Sequence, residues 1–258
     1  MTAFFDSCVS NVPCVDPLAV LAIAGSGLLI AGIIKGATGL GYASCALPFL
    51  VMAFGVKASM NIIILPALAT NFSLAFATGH VRETLARFRW LYLAMPPGIV
   101  LGIYLLNRVS QSVSVRVFAG AIIGYAILAL AKPQYRLPSR FEQPLQWPIG
   151  FLNGVVTGMT GAQVMPLFPY VMALQLDADR TVQTVNLAVM IASTSLAIGL
   201  FGTGTLTPGL FAASLAALLP ALVGVELGIS LRRRIPVQNF RKLTLSTMLL
   251  LGTMMLLR

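Results

Sequence analysis

Apolar residues run through this chain in long segments that are separated by short polar or charged connections. Several of the segments reach 18 or more residues, the length that an α-helix needs to cross a hydrocarbon core of about 30 Å. They contain few charges, so the pattern does not fit the amphipathic helices of a soluble domain. We therefore predict an all-α polytopic membrane protein. The predicted apolar segments are 18–36, 40–55, 59–79, 89–107, 114–131, 147–160, 162–176, 181–203, 207–231 and 240–257.

The first two segments form one apolar stretch that is too long for a single crossing. Residues 18–54 comprise 37 positions, which would extend about 55 Å as a continuous helix at 1.5 Å per residue. Gly36, Gly39, Gly41 and Pro48 interrupt the middle of this stretch. Because glycine and proline are the usual causes of helix breaks, we predict a turn here, either between two full spans or within a re-entrant segment.

The same pattern returns in the second half of the chain. A G-x-x-K-G motif begins at Gly32 and a G-x-x-N-G motif begins at Gly150, and Pro48 and Pro166 follow them at the same spacing. Each half contains five apolar segments, an odd number, so the second half is predicted to be inverted relative to the first, as in many secondary transporters. The predicted units are a first transmembrane repeat at 1–131 with a short N-terminal tail at 1–17, a cytoplasmic linker at 132–146, and a second transmembrane repeat at 147–258.

Charge is scarce, and its distribution predicts a topology. Charged residues make up 9% of the chain, the mean hydropathy is +0.90 and the formal net charge is +10. The basic residues form no stripe and belong to no nucleic-acid-binding motif, so we expect no nucleic-acid partner. With the N-terminus outside and each broken stretch crossing as a hairpin, most basic residues fall inside, as the positive-inside rule requires. We predict a multi-pass protein of a bacterial-type inner (plasma) membrane with its N-terminus outside.

Lys35 is the single charged residue between positions 18 and 56. A charge at the bilayer centre costs about 2.5–3.5 kcal/mol on insertion scales, so a lysine there indicates a functional site. A helix broken between Gly36 and Gly41 would add backbone N–H groups and the positive end of a helix dipole, both of which favour an anion. The alternative is that Lys35 lies near a helix end and extends its ammonium group to the membrane interface.

In the second half, Asn153 occupies the motif position that Lys35 has in the first. Its broken stretch carries no charge but offers Asn153, Thr157, Thr160 and Gln163 as hydrogen-bonding groups. Together the two broken helices would enclose a small oxyanion, whereas the alternative is that these groups join packed helices. The predicted substrate-binding residues are Lys35, Gly36, Thr38, Gly39, Gly41, Tyr42, Ser44, Asn153, Thr157, Thr160, Gly161 and Gln163.

The third segment of each half contains two further amides, four in all. Amides in such segments serve as interhelical hydrogen-bonding groups more often than as ligands. The four are Asn61, Asn71, Gln183 and Asn186. Glu226 is the one acidic residue inside a predicted span and is a candidate carrier of a coupling proton. An ion pair with Arg232 or Arg233 is the simpler role for it.

Neither the cysteines nor any sequence motif indicates an enzyme. Cys8 and Cys14 either form a disulfide in an oxidising compartment or remain free thiols, and Cys45 is expected to pack inside the membrane. The sequence has no nucleotide-binding loop, no hydrolase motif and no Cys/His cluster, so we expect no enzymatic activity, no metal and no cofactor.

The glycine-rich stretches GIIKGATGLGYASCALPF and GFLNGVVTGMTGAQVMPLFPYVMAL, with the two-unit layout and the LG-x-x-L-x-x-R ends of the fourth segments, resemble the TauE/SafE (sulfite exporter) family. The resemblance implies a transporter of small sulfur-containing or organic anions such as sulfite or sulfonates, usually moving them outward. We therefore expect a secondary exporter of a small oxyanion that works by alternating access at a midplane site. The alternatives are a passive anion channel and a membrane assembly factor without transport activity.

Overall fold

The computed structural model describes residues 17–39, 41–77, 79, 81–130, 136–163 and 165–232, together with positions 245–246, 249–250, 252–254 and 256. Cys8 and Cys14 lie outside these residues, as does most of the predicted last segment.

Helices account for all the regular secondary structure of this part of the chain. The helices are α1 (Pro17–Thr38), α2 (Tyr42–Ala77), α3 (Val81–Arg87), α4 (Arg89–Arg108), α5 (Gln111–Leu130), α6 (Ser139–Thr160), α7 (Leu167–Ala173), α8 (Ala178–Gly202) and α9 (Pro208–Arg232). Six stretches, all but α3, α6 and α7, are long and apolar enough to cross a membrane. These observations confirm the prediction of an all-α polytopic membrane protein.

The first apolar stretch breaks at Gly39–Gly41, at the C-terminal edge of the predicted region. Gly39 has φ 78° and Gly41 has φ 84°, a left-handed conformation that costs little only for glycine. Gly36 instead lies inside α1. A second interruption falls at Gly55 (φ 76°, ψ 172°), which divides α2 into two helices and matches the predicted boundary between the second and third segments.

Helix α6 begins at Ser139, inside the region predicted as the linker 132–146. The polar composition of its first two turns concealed the helix in the sequence. These turns are held by hydrogen bonds from the Gln146 amide to the Arg87 carbonyl (2.9 Å) and from the Tyr170 hydroxyl to the Glu142 carbonyl (2.7 Å). The irregular part of the connection is therefore shorter than expected at its C-terminal end.

Two pairs of helices pack backbone to backbone. Helix α1 packs on α9, and α4 packs on α6. A Cβ on Gly36 would overlap the carbonyl oxygen of Val225, and one on Gly158 would overlap that of Ile99. Small residues at such positions let membrane helices approach closely, and packing then stabilises the pair. We call these two contacts the glycine seams. They pair Gly32 and Gly36 with Gly224 and Gly228, and Gly154 and Gly158 with Gly98 and Gly102.

The glycine seams and the helix ends align Lys35 of α1 with Thr157 of α6. The sequence motif had aligned Lys35 with Asn153, one helical turn earlier. In α1, the N–H of Gly39 bonds to the carbonyl of Lys35 (2.7 Å), and in α6 the N–H of Gly161 bonds to that of Thr157 (2.7 Å). Lys35 and Thr157 therefore hold the same position relative to the end of each helix. The sequence motif placed Asn153 there because both motifs contain glycines every four residues, so a slip of one turn keeps most of the pattern.

Helices α2 and α8 lie between the seams and join them. Helix α2 contacts α1, α9 and α8, and α8 contacts both α2 and α4. The breaks that follow α1 and α6 thus adjoin the two central helices, where polar side chains can meet away from lipid.

Candidate functional site

Lys35 lies in the last turn of α1 and is 1% exposed. Its Nζ donates hydrogen bonds to Oδ1 of Asn71 on α2 (2.6 Å) and to Oδ1 of Asn186 on α8 (2.6 Å). A lysine that extends to the interface would have its ammonium group at the exposed end of the side chain. The contacts of Lys35 exclude that alternative and place its Nζ at the meeting point of three helices.

Backbone contacts fix the orientation of both amides. The Asn71 amide nitrogen donates to the carbonyl of Ala67 (2.6 Å). The Asn186 amide nitrogen donates to the carbonyls of Val182 (2.8 Å) and Gly39 (3.2 Å). Because a carbonyl only accepts hydrogen bonds, the nitrogens must face the backbone and the oxygens must face Lys35.

Among the described residues, no carboxylate forms an ion pair with Lys35; the described ion pairs involve Arg87 and Arg180. Burying a charge is costly unless it is paired and hydrogen-bonded. Two amide dipoles supply part of that compensation, but they carry no net charge. Whenever Lys35 is protonated, the site therefore has an excess positive charge that a bound anion would neutralise.

Helix α2 begins directly after the first break, beside Lys35. The Cys45 N–H bonds to the Gly41 carbonyl (3.1 Å), which closes the first turn. The N–H groups that precede it in the first turn have no acceptor within the helix, and Tyr42 and Ser44 in this turn are 1% and 2% exposed. The Tyr42 hydroxyl is buried and has no hydrogen-bond partner in the described part of the chain. This turn thus combines helix N–H groups and a hydroxyl, which are donors suited to an anion.

Two predicted residues near the first break instead serve helix α1. The Thr38 hydroxyl donates to the carbonyl of Ile34 (2.8 Å), and Gly36 belongs to the seam with α9. Gly39 contributes its carbonyl to Asn186, which ties the break to α8.

In the second break, most polar groups bond to the backbone of the break itself. The Thr157 hydroxyl donates to the Ala162 carbonyl (3.2 Å), and the Thr160 hydroxyl accepts from the Ala162 N–H (3.1 Å). The Asn153 amide faces two carbonyls, so its nitrogen and oxygen are assigned in the exchanged orientation, in which the nitrogen donates to the carbonyls of Met165 (3.0 Å) and Gln163 (3.3 Å). Gly161 (φ 76°) ends α6. These contacts hold the turn in shape.

Gln163 connects the second break to α8. Its Nε2 donates to the Ser193 hydroxyl (2.9 Å), while its buried Oε1 has no partner among the described residues. Ser193 and Asn186 are seven residues apart, so they share one face of α8 with a separation of about 10 Å along the helix. One face of α8 therefore contacts Lys35 at the first break and Gln163 at the second.

The structure brings together part of the predicted set and adds residues to it. Lys35, Gly39, Gly41, Tyr42 and Ser44 gather at the first break, whereas Glu226 is exposed on α9. Arg232 and Arg233, its suggested partners, have side chains outside the described residues. Asn71, Asn186 and Ser193 were not predicted as site residues. Their signal in the sequence was polarity within apolar segments, which fits helix packing equally well.

A family model described as "Sulfite exporter TauE/SafE" matches residues 23–255. The chain therefore belongs to that family, which consists of transporters of the sulfite-exporter type and not of enzymes. No curated protein and no solved structure matches the chain.

Proposed function

We propose that this member of the TauE/SafE family is a secondary transporter that exports a small oxyanion, such as sulfite or an organosulfonate, by alternating access. The observation that carries the proposal is the position of Lys35. Its buried ammonium group has two amide oxygens as partners and forms no ion pair in the described part of the chain. A small anion of one or two negative charges is the ligand that would complete this site.

The anion would bind at the free side of Lys35 Nζ. Two of the three ammonium N–H groups are directed at Asn71 and Asn186, and an ammonium group has a third N–H to offer. The first turn of α2 would supply backbone N–H groups, and Tyr42 would supply its hydroxyl. An oxyanion presents several oxygens in a small volume, so it can accept from all of these donors at once.

The second break would form the opposite wall of the site. It adjoins the same face of α8, and Gln163 and Ser193 extend that face towards it. Because Asn153, Thr157 and Thr160 bond to the backbone of the break, we assign them to holding the wall in shape. Rocking of one glycine seam against the other would then open the site to each side in turn, in the manner of inverted-repeat transporters. We place the protein in the inner membrane with its N-terminus outside.

Ligand-dependent stabilisation of the purified protein tests this proposal. A ligand that binds only the folded state stabilises it by about 2.7 kcal/mol when present at 100 times its Kd. Sulfite, thiosulfate and small sulfonates should raise the unfolding temperature of the wild-type protein in detergent, and chloride at matched ionic strength should not. Lys35→Gln should abolish the shift, while the control Lys57→Gln, which removes an exposed lysine from α2, should retain it.

Two outcomes would count against the proposal. Equal shifts in Lys35→Gln and wild type would place the anion elsewhere. If no anion in the panel raised the unfolding temperature, the support for an oxyanion substrate would be lost. Counterflow in proteoliposomes separates a carrier from a passive channel, because a channel shows no exchange.

A further inference from the structure

The hydrogen bonds around Lys35 can be satisfied by two protonation states of its side chain. The Asn71 and Asn186 oxygens are the two acceptors at Nζ, and their orientation is fixed by the backbone carbonyls behind them. An ammonium group has three N–H donors, and a neutral amine has two donors and a lone pair. Two acceptors are therefore satisfied by either form, and only the third direction differs.

The charged and titratable groups on the elements packed around Lys35 form no described ion pair or hydrogen bond with it. The helices packed against α1 contribute Tyr42 and Cys45 on α2 and Glu226 on α9, and α8 contributes Asp179 and Arg180 near its start. Arg180 is paired with Glu83 (3.1 Å) and Asp177 (3.4 Å), and Glu226 is exposed. No described carboxylate is paired with Lys35, so its charge has no fixed counterion when the site is empty.

Because Lys35 is buried, the favoured protonation state of its side chain depends on whether an anion is bound. Without an anion, an ammonium group would be a desolvated charge supported by amide dipoles alone, which favours the neutral amine. With a monovalent anion against the third N–H, the ammonium group becomes half of an ion pair with no net charge. A neutral empty site and a neutral loaded site both avoid moving a net charge through the low-dielectric interior.

We propose that Lys35 takes up one proton from solvent when an anion binds and releases it when the anion leaves, so that one proton is transported with each anion. This inference rests on the proposed function, because it requires an anion at Lys35. No covalent bond changes: the amine lone pair accepts the proton, the resulting N–H donates to the anion, and both leave on the opposite side. It also assigns the coupling proton to Lys35 in place of Glu226, which faces away on α9.

Calorimetry of anion binding tests the proposal directly. Ethanesulfonate is a suitable probe because a sulfonate stays fully ionised over the working pH range, so every proton counted belongs to the protein. Titrating detergent-solubilised wild type in two buffers with different ionisation enthalpies gives the number of protons taken up per anion. We expect that number to approach one at alkaline pH, where the apparent Kd should rise by about tenfold per pH unit.

Two variants assign the proton to a residue. Lys35→Arg keeps the charge but does not lose its proton in this range, so it should bind ethanesulfonate with no proton uptake and a flat pH profile. Glu226→Gln should retain the wild-type proton count. Zero uptake by wild type at every pH, or loss of the uptake in Glu226→Gln, would overturn the inference even if the arginine variant does not bind.

The choice of probe anion separates this inference from the proposed function. If wild type bound sulfite but not ethanesulfonate, the substrate class of the proposed function would be narrower. Sulfite titrations, corrected for the ionisation of sulfite itself, would then give the proton count.

Discussion

Asn186 should be among the most sensitive positions in the membrane-spanning part of the protein, because one amide connects three elements. It accepts from Lys35 and donates to the carbonyls of Gly39 and Val182. Asn186→Leu keeps the approximate volume but removes all three contacts. A hydrogen bond to a charged group contributes about 1.5–3 kcal/mol, and an unsatisfied buried polar group costs about 1–3 kcal/mol. We therefore expect a loss of roughly 3–5 kcal/mol in the free energy of unfolding.

Asn61→Leu is the matched control for this experiment. Asn61 is equally buried on α2, but its amide nitrogen bonds only to the Lys57 carbonyl of its own helix (2.9 Å), and its oxygen has no partner among the described residues. Its loss should cost only about 1 kcal/mol. Reversible unfolding in mixed micelles would measure both variants.

A double-mutant cycle with Lys35→Met isolates the Lys35–Asn186 contact. Removing Asn186 should cost less when Lys35 is already absent, since no buried ammonium group then loses an acceptor. At a pH low enough to keep Lys35 protonated, the expected coupling is about 1.5–3 kcal/mol, the range for a hydrogen bond to a charged group. A coupling below about 0.5 kcal/mol, or equal effects of Asn186→Leu and Asn61→Leu, would show that the Lys35–Asn186 hydrogen bond contributes little to stability.

Three further changes address the seam, the binding site and the polar surface. Gly228→Ala should place a methyl group against the α1 backbone and cost at least about 1–3 kcal/mol, whereas Gly202→Ala, with open space around it, should be nearly neutral in the same thermal assay. Tyr42→Phe removes a hydroxyl without a partner in the described residues, so stability should be unchanged while sulfonate affinity falls by roughly fivefold to tenfold, about one hydrogen bond. The Arg87–Glu142 ion pair (2.6 Å) is partly exposed, and its hydrogen bond raises the pKa of the Arg87 guanidinium. A double-mutant cycle should give only about 0.2–1 kcal/mol for this pair, less at high salt. Because the folded-state pKa of Arg87 lies above its already high ordinary value, the contribution of the charged guanidinium is lost only at strongly alkaline pH. Deprotonation of Arg87 should therefore not weaken the pair in ordinary alkaline buffers.

Long apolar segments predicted the membrane-spanning helices well, because hydropathy and length depend on local sequence alone. The break at Gly39–Gly41 was also predictable, since a single lysine and several glycines in an apolar stretch are conspicuous. Helix α6 was predicted to begin too late, because its first turns are polar and are stabilised by contacts with Arg87 and Tyr170 that are distant in sequence.

The composition of the site was harder to predict than its location. Asn71 and Asn186 lie 36 and 151 residues from Lys35, and no periodicity links them to it. The helix ends and the seams align Lys35 with Thr157, one turn beyond Asn153, for a similar reason: a four-residue glycine spacing fits two registers, and the packing of α1 and α6 on their partners favours one. Side chains that meet across helices thus require the fold before their roles can be assigned.

In the proposed mechanism, the positive charge of Lys35 binds the transported anion. Counterflow of radiolabelled ethanesulfonate in proteoliposomes tests it most directly, with wild type, Lys35→Gln and Lys57→Gln reconstituted at equal density. At about 4 Å and an effective dielectric constant near 20, a unit charge pair is worth about 4 kcal/mol, or roughly three orders of magnitude in affinity. We expect exchange by wild type and Lys57→Gln and none above empty liposomes by Lys35→Gln. Exchange by Lys35→Gln at the wild-type rate and half-saturation would contradict it.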